Sequence, residues 1–464
     1  MGDRGRQRPL RRRMQSCYPA LPPRRPGQRQ RATAHAAMGN QQGKMTEQHP
    51  EIMYDWNEIK RHTPPIRPGF QLVDETLRDG IQSPSITNPK IDQKLEILHC
   101  MEALAIDVAD VGLPGAGATA VADVTRLVEE IRDQHLGILP NCAARTHKSD
   151  IEAIIGIAHK TGVAIEVCAF LGSSPVRQLV ENWDVAHMTK LVTDSADLTV
   201  SNGLPFSFVT EDTTRSHPDT LAVLFKAAID HGATRLILCD TVGYATPDGL
   251  ANLLEFTRGV IASTGAKVAL DWHGHNDRGL AVPLCLTALE LGFDRVHGTC
   301  LGVGERVGNA SIDQLLLNLR LLQVWDRPLH ALRRYVDTVS RHYGVAIPYN
   351  YPAFGTDAFR TATGVHAAAI AKALKLGRRD LADAVYSSVP AHEVGCRQMI
   401  DIGFYSGKAN VEVWLIEHDL EPTEARIQAV LGHAKVGDAT LTEAQVYAAL
   451  AGAGQLPAHQ AAVG

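Results

Sequence analysis

The sequence predicts an α/β protein built on a closed (β/α)8 TIM barrel with a small helical C-terminal appendage. Three observations carry that reading. From residue 71 a short apolar strand, a polar or Gly-containing turn and a helical segment follow one another eight times. The strands are nearly continuous apolar runs, as expected of parallel strands covered on both faces. Six of the eight strand ends are followed by polar or ionisable residues, on the side where this fold gathers its chemistry.

The predicted strands are Gln71–Arg78, Asp107–Leu113, Leu136–Cys142, Val163–Phe170, Pro205–Val209, Arg235–Asp240, Val268–His273 and Arg295–Thr299. Helices are expected over Ile91–Leu104, Thr119–Gln134, Ser149–Lys160, Pro218–His231, Pro247–Ser263, Leu280–Leu291 and Ser311–Leu322. Ser149 reads as an N-cap with Asp150 in the first turn, and Thr246-Pro247-Asp248 as a cap followed by proline at the first helical position. The barrel is thus expected over residues 68–325 and the appendage over 326–455. Within the appendage, 326–345 reads as a helix and 346–360 as a linker rich in Pro and aromatic residues. Helical segments follow at 364–376, 424–434 and 441–451. A doubly wound open sheet is the structural alternative.

With 464 residues, 45% of them hydrophobic, the chain is long enough to bury a large core. Residues 1–44 hold ten Arg and one Lys against one Asp, and five prolines, so residues 1–45 are expected to form a disordered tail. An organellar presequence, or a true start at Met38 or Met45, are other readings of that segment. The rest carries 35 basic against 50 acidic residues, which argues against a nucleic-acid surface. No apolar run is long enough for a membrane span. Eight scattered cysteines without a C-x-x-C pair fit reduced thiols in a cytoplasmic protein.

The chemistry centres on Asp271-Trp272-His273-Gly274-His275-Asn276-Asp277. Residues i and i+2 of a strand share a face, so His273 and His275 are candidates to grip one metal ion together. A third ligand is needed. Asp79, at the end of the first strand, is the best placed carboxylate, and Asn309 offers an amide oxygen. Mixed imidazole and oxygen ligation suits Mg2+, Mn2+, Co2+ or Zn2+. Arg78 supplies a positive fork at the same rim, suited to a substrate carboxylate or an oxyanion. Arg145, His147 and Thr241, after the third and sixth strands, are candidate substrate contacts. Glu211 reads as a base with a raised pKa or as a partner of Arg215, and Glu305-Arg306 as an ion pair shaping a glycine-bracketed loop.

Three segments carry a resemblance: Asp74-Glu75-Thr76-Leu77-Arg78-Asp79-Gly80-Ile81-Gln82, His273-Gly274-His275-Asn276-Asp277, and Gly302-Val303-Gly304-Glu305-Arg306-Val307-Gly308-Asn309. Together they resemble the signatures of the DRE-TIM metallolyase superfamily, in particular its Claisen-condensing branch of 2-isopropylmalate and homocitrate synthases. The resemblance runs over about residues 68–420. It implies a divalent metal held by Asp79, His273, His275 and Asn309, and Arg78 polarising the carbonyl of a 2-oxo acid. Acetyl-CoA would be the co-substrate, condensed with the oxo acid and then hydrolysed to a 2-hydroxy diacid. It further implies catalytic roles for Glu211, for Glu305 in support, and for His366, donated by the appendage across a homodimer interface. Oxaloacetate or a phosphorus analogue is the alternative oxo acid within this chemistry. A hydroxyacyl-CoA lyase is the more distant reading, because Gly-Val-Gly-Glu-Arg stands where such lyases carry a Gly-Cys-Pro loop.

Overall fold

A computed structural model describes residues 53–327 and 329–456; the Arg/Pro-rich segment expected over 1–45 lies outside them. The chain divides into residues 1–59 and 60–464. In the first, Trp56–Glu58 makes one 3-10 turn, whose start is capped by Asp55 accepting from the amide of Asn57 at 2.8 Å.

In the second, eight strands close into a parallel barrel in sequence order. They are β1 (Gln71–Asp74), β2 (Val108–Asp110), β3 (Leu139–Arg145), β4 (Glu166–Gly172), β5 (Phe206–Glu211), β6 (Arg235–Asp240), β7 (Ala269–Gly274) and β8 (Arg295–Gly298). The ring closes because β1 pairs with β8, Gln71 opposite Arg295 and Asp74 opposite Gly298. The open-sheet alternative is thereby ruled out. Apolar strand residues such as Leu72, Val167, Phe206, Leu236 and Trp272 are fully buried between sheet and helices. At about 25 cal/mol per Å2 that burial is the main drive for assembly.

Most helices fall where the apolar periodicity places them, and two local readings need correction. Thr246 caps the helix Pro247–Thr264 by accepting from Gly249 N at 3.1 Å, as its sequence predicts. Ser149 is not a cap, because the helix Lys148–Thr161 begins one residue before it and His147 holds the cap position. Its hydroxyl instead lies 2.8 Å from His147 Nδ1. Between β4 and β5 the structure has two helices, Pro175–Glu181 and Val185–Ser201, that were not foreseen. Ser174 and Asp184 cap them.

The appendage has more order than its sequence suggests. Beyond helices Leu332–Tyr343, Gly364–Lys375, Glu424–Lys435 and Glu443–Gly452, it contains Arg379–Ala384 and Lys408–Glu417. A two-stranded ladder, Arg360–Thr361 with Met399–Ile400, joins its parts. Strands of two residues leave no alternating pattern to read. The helices bury a core of their own around Val411, Leu415, Val430 and Leu450. No helix among the described residues is long and apolar enough to cross a membrane.

The barrel interior is not uniformly apolar. Arg295 pairs with Glu166 at 2.8 Å, Arg235 reaches both Glu166 and Asp271, and His297 Nε2 lies 3.2 Å from Asp271 Oδ2. His297 Nδ1 meets Glu75 Oε1 at 2.9 Å. Burial alone would lower the His297 pKa, but Glu75 and Asp271 outweigh it and raise it to about 9. A histidine raised in the folded state adds stability that is complete below its ordinary value near 6.5 and is lost as pH climbs toward 9. The contribution is roughly 3 kcal/mol at most. Thermal melts of the chelator-treated protein should therefore show a falling midpoint between pH 6.5 and 9. His297→Asn should melt lower at pH 6 and lose that slope; an unchanged slope would contradict the assignment.

Candidate metal centre and substrate cavity

Just past β1 the chain turns tightly, with Arg78 N and Gly80 N both donating to Glu75 O at 3.0 and 3.1 Å. The turn holds Glu75 and Asp79 buried at the barrel mouth, each 3% exposed. Strand β7 delivers His273 on the same side. His275 follows just beyond the strand, anchored by His275 N donating to Asp240 O at 3.1 Å. Both imidazole Nε2 atoms stand 3.6 Å from Asp79 Oδ2.

The fourth donor comes from the loop after β8. His275 and Asn309 form an antiparallel bridge, reinforced by Asn276 N to Gly308 O at 2.8 Å and Ala310 N to Gly274 O at 3.1 Å. This brings the Asn309 amide to Asp79, Nδ2 to Oδ2 at 2.6 Å. Two glycines permit the approach. Gly308 has φ +85°, and a Cβ there would collide with Gly302 O; a Cβ on Gly304 would collide with Asn309 Oδ1.

The residues present fit a divalent cation. Asp79, His273 and His275 offer ligand atoms all within 4.8 Å of one another, and all three are buried. The Asn309 Oδ1 and His275 Nδ1 atoms are buried without hydrogen-bond partners among the described residues. Turned about its Cβ–Cγ bond, the Asn309 amide would present that oxygen to the cluster in place of the Nδ2 that now donates to Asp79. Burial, and then the neighbouring His273, lowers the His275 pKa to about 4, so its ring is neutral and its lone pair available. Behind the ligands, Glu75 Oε2 lies 2.8 Å from His273 Nδ1 and fixes that ring, the outer support such sites commonly have. Glu75, His273 and His297 also lie close enough to form a second three-donor group. The ion-pair partners already on Glu75 and His297 mark that group as support for His273.

Arg78 binds three carboxylates: Glu75 through Nη2 at 2.7 Å, Asp79 through Nη1 at 3.1 Å and Asp110 through Nε at 2.8 Å. Those contacts use three of its five N–H donors. Burial raises both acids of the turn, yet Arg78 reverses the effect for Glu75 and Asp79, which are held below the usual range. At Asp110 burial wins and the pKa rises to about 6.

A cavity of about 300 Å3 opens above this floor. Glu75, Arg78, Asp79, His273, His275 and His297 line its polar side, and Leu113, Ala143, Cys168, Phe170, Val209 and Ile237 its apolar side. Glu211, Thr241 and Glu305 also reach it. Burial raises the Glu211 pKa against the pull of Arg177, whose Nε is 3.2 Å from Oε1. Thr241 Oγ1 accepts from Asp212 N at 2.8 Å, which orients it.

Several candidates stand elsewhere. Arg145 is not on the cavity wall, because buried Asp150 takes its guanidinium in a two-pronged pair at 2.8 Å from Nε and Nη2. His147 is exposed at the start of the next helix. His366 lies in the appendage, its ring stacked on Tyr386 at 3.8 Å, and does not line the cavity of its own chain. Arg215 pairs with Asp212, at 2.7 and 2.6 Å, rather than with Glu211. The expected Glu305–Arg306 pair is loose at 3.9 Å, since Arg306 makes two bonds of 2.9 Å to Asp277. Sequence reasoning passed over Glu75, Asp110, Asn141 and His297. Their signal is a single polar residue inside an apolar strand or at its exit, as in Val108-Ala109-Asp110-Val111.

Titration with Mn2+ should show Asp79→Ala or His273→Ala weakening binding about 100-fold or more, on the scale by which even outer supports matter. His366→Ala should leave the affinity unchanged. Equal metal affinity in all variants would remove the cluster as a metal site.

The HMGL-like family pattern matches residues 69–339. A probable 2-isopropylmalate synthase of Methanopyrus kandleri is 28% identical over 376 residues, covering 79% of this chain and 70% of its own. A putative (R)-citramalate synthase of Methanosphaerula palustris is 30% identical over 373 residues, covering 80% of this chain and 69% of its own. The HMG-CoA lyase of Bacillus subtilis shares the fold, with a TM-score of 0.52 at 18% identity over 61% of this chain and 97% of that one. Barrel, cluster and match agree over the same residues, and the chain belongs to the HMGL-like family, of the DRE-TIM type.

Proposed function

We propose that the protein condenses acetyl-CoA with a 2-oxo acid and hydrolyses the resulting thioester, giving a 2-hydroxy diacid and free CoA. The observation that carries this is the placement of a four-donor metal cluster and a guanidinium on one cavity floor, with a half-buried carboxyl, Glu211, on the wall. A divalent ion held by Asp79, His273, His275 and Asn309 supplies Lewis acidity to a bound oxo acid. The names of the curated relatives, an isopropylmalate and a citramalate synthase, point to the same chemistry.

The chain's own groups divide the remaining work. Arg78, fixed by three carboxylates, presents charge to the oxo oxygen where negative charge develops as the new carbon–carbon bond forms. Glu211, with its pKa raised by burial, is suited to take a proton from the acetyl methyl group, whose carbon then attacks the oxo carbon. Thr241 binds the substrate carboxylate. Water then cleaves the thioester, leaving a carboxylate and the CoA thiol. Under this reading the enzyme is a cytoplasmic homodimer in which each copy's His366 enters the other's cavity. The exposed Val365, Tyr386 and Tyr405 around His366, at 72%, 49% and 74%, support that arrangement.

Thiol release from acetyl-CoA, followed over a panel of 2-oxo acids with Mn2+, tests the proposal. No release with any of them sinks it. Arg78→Ala should lower kcat/KM by about 100- to 1,000-fold, the scale for a lost oxyanion donor. His366→Ala should lower kcat about 100-fold or more while leaving the melting profile unchanged.

A further inference from the structure

The floor of the cavity carries one polar side chain that neither the metal cluster nor the proposed chemistry employs. Asn141 lines the cavity from β3, is 2% exposed, and its Oδ1 is buried with no hydrogen-bond partner among the described residues. Leaving such a group unpaired costs about 1–3 kcal/mol, so a fold that keeps one beside a cavity keeps it for something that enters there.

Its position says what that is. Asn141 is opposite Asp110 of β2 and Glu166 of β4 in the parallel register, yet bonds neither side chain. Asp110 is committed to Arg78 at 2.8 Å and to Gly112 N at 3.2 Å, and Glu166 to Arg295 at 2.8 Å. Under that reading Arg78 and the metal cluster mark where the 2-oxo carboxylate head sits, and Asn141 lies two strands from β1, about 10 Å across the sheet and beyond Asp110 on the same cavity wall. Apart from Asp110, which Arg78 occupies, the wall on this side is apolar, with Leu113, Ala143 and Cys168. An isopropyl or isobutyl group placed there would seal an unpaired amide in a dry pocket. A group of the same size with an N–H or O–H to donate to Oδ1 would satisfy it.

Resting on the condensation reading, we infer that Asn141 selects a 2-oxo acid whose side chain ends in a hydrogen-bond donor, such as a carboxamide or hydroxyl, over an aliphatic one. Asn141 is then the specificity residue of the site, and branched aliphatic oxo acids are its poor substrates.

Three probes of one shape separate the possibilities: oxaloacetate, its neutral amide 2-oxosuccinamate, and 4-methyl-2-oxopentanoate. Binding is read by calorimetry with Mn2+ in the absence of acetyl-CoA, and turnover separately by thiol release. The wild type should bind 2-oxosuccinamate about 10- to 100-fold more tightly than the aliphatic probe, the scale of one unpaired buried group. Asn141→Leu, which replaces the amide by an apolar group of similar size, should reverse or abolish that ratio without lowering the melting temperature. Asn141→Asp should weaken oxaloacetate more than 2-oxosuccinamate. Tightest wild-type binding of the aliphatic probe, or a ratio unchanged in Asn141→Leu, overturns the inference. The predicted binding ratios without thiol release uphold the role of Asn141 and overturn the condensation reading instead.

Discussion

Pairing between the first and last strands is the constraint on which everything else in this structure depends. Asp79 and Asn309 are separated by most of the barrel sequence, and they meet only because β1 lies against β8. Each cross-strand bond is individually modest. Together they decide whether the His273 and His275 rings find a carboxylate 3.6 Å away or face water. Assembly of the cluster and barrel closure are thus two descriptions of one event, and an ion bound there would add its affinity to the stability of the closed ring.

The cluster is also held from below. Glu75 links His273 to His297, His297 links to Asp271, and Asp271 to Arg235. Most of these groups are cut off from water, so each depends on the next for its counter-charge. An acid at one end of this series is held low while another nearby, Asp110, is raised to about 6, although both face Arg78. Glu75 shares two histidines in addition to Arg78, and Asp110 has none. One fold thereby keeps carboxyls of different acidity within a single cavity, the condition for separate acid and base roles.

How much of this was legible in the sequence depended on how local the cause was. The barrel followed from a rhythm that eight repeats make hard to mistake, and the meeting of Asp79 with His273 and His275 from H-x-H on a strand with an acid at another strand's end. Arg145 and His147 were reasonable by position, since they follow a strand. Buried Asp150 decides their fate instead, and nothing short of packing shows that it will need the Arg145 guanidinium. Strand ends were read too late or too early where apolar runs continue past the last ladder bond, as at Gln71–Arg78 against the observed Gln71–Asp74. The role of Asn141 was invisible for a different reason: an asparagine in a strand says little until its neighbours are seen to be occupied elsewhere.

The charge-filled interior sets a limit on how this molecule can be divided. In many apolar barrels a half-barrel exposes only hydrophobic surface, which a second half can cover in any of several ways. Here Arg295 on β8 answers Glu166 on β4, Arg235 on β6 answers Asp271 on β7, and Gln71 on β1 accepts from Arg295 at 2.8 Å. Splitting the ring between β4 and β5 strands Glu166 without its arginines, and takes Glu166 from Arg295 and Glu75 from His297, leaving both with Asp271 alone. The halves of this chain are therefore not interchangeable modules. Gene duplication or fragment exchange that respects strand order, but not these partners, would yield a barrel of the right shape with unpaired charges at its centre.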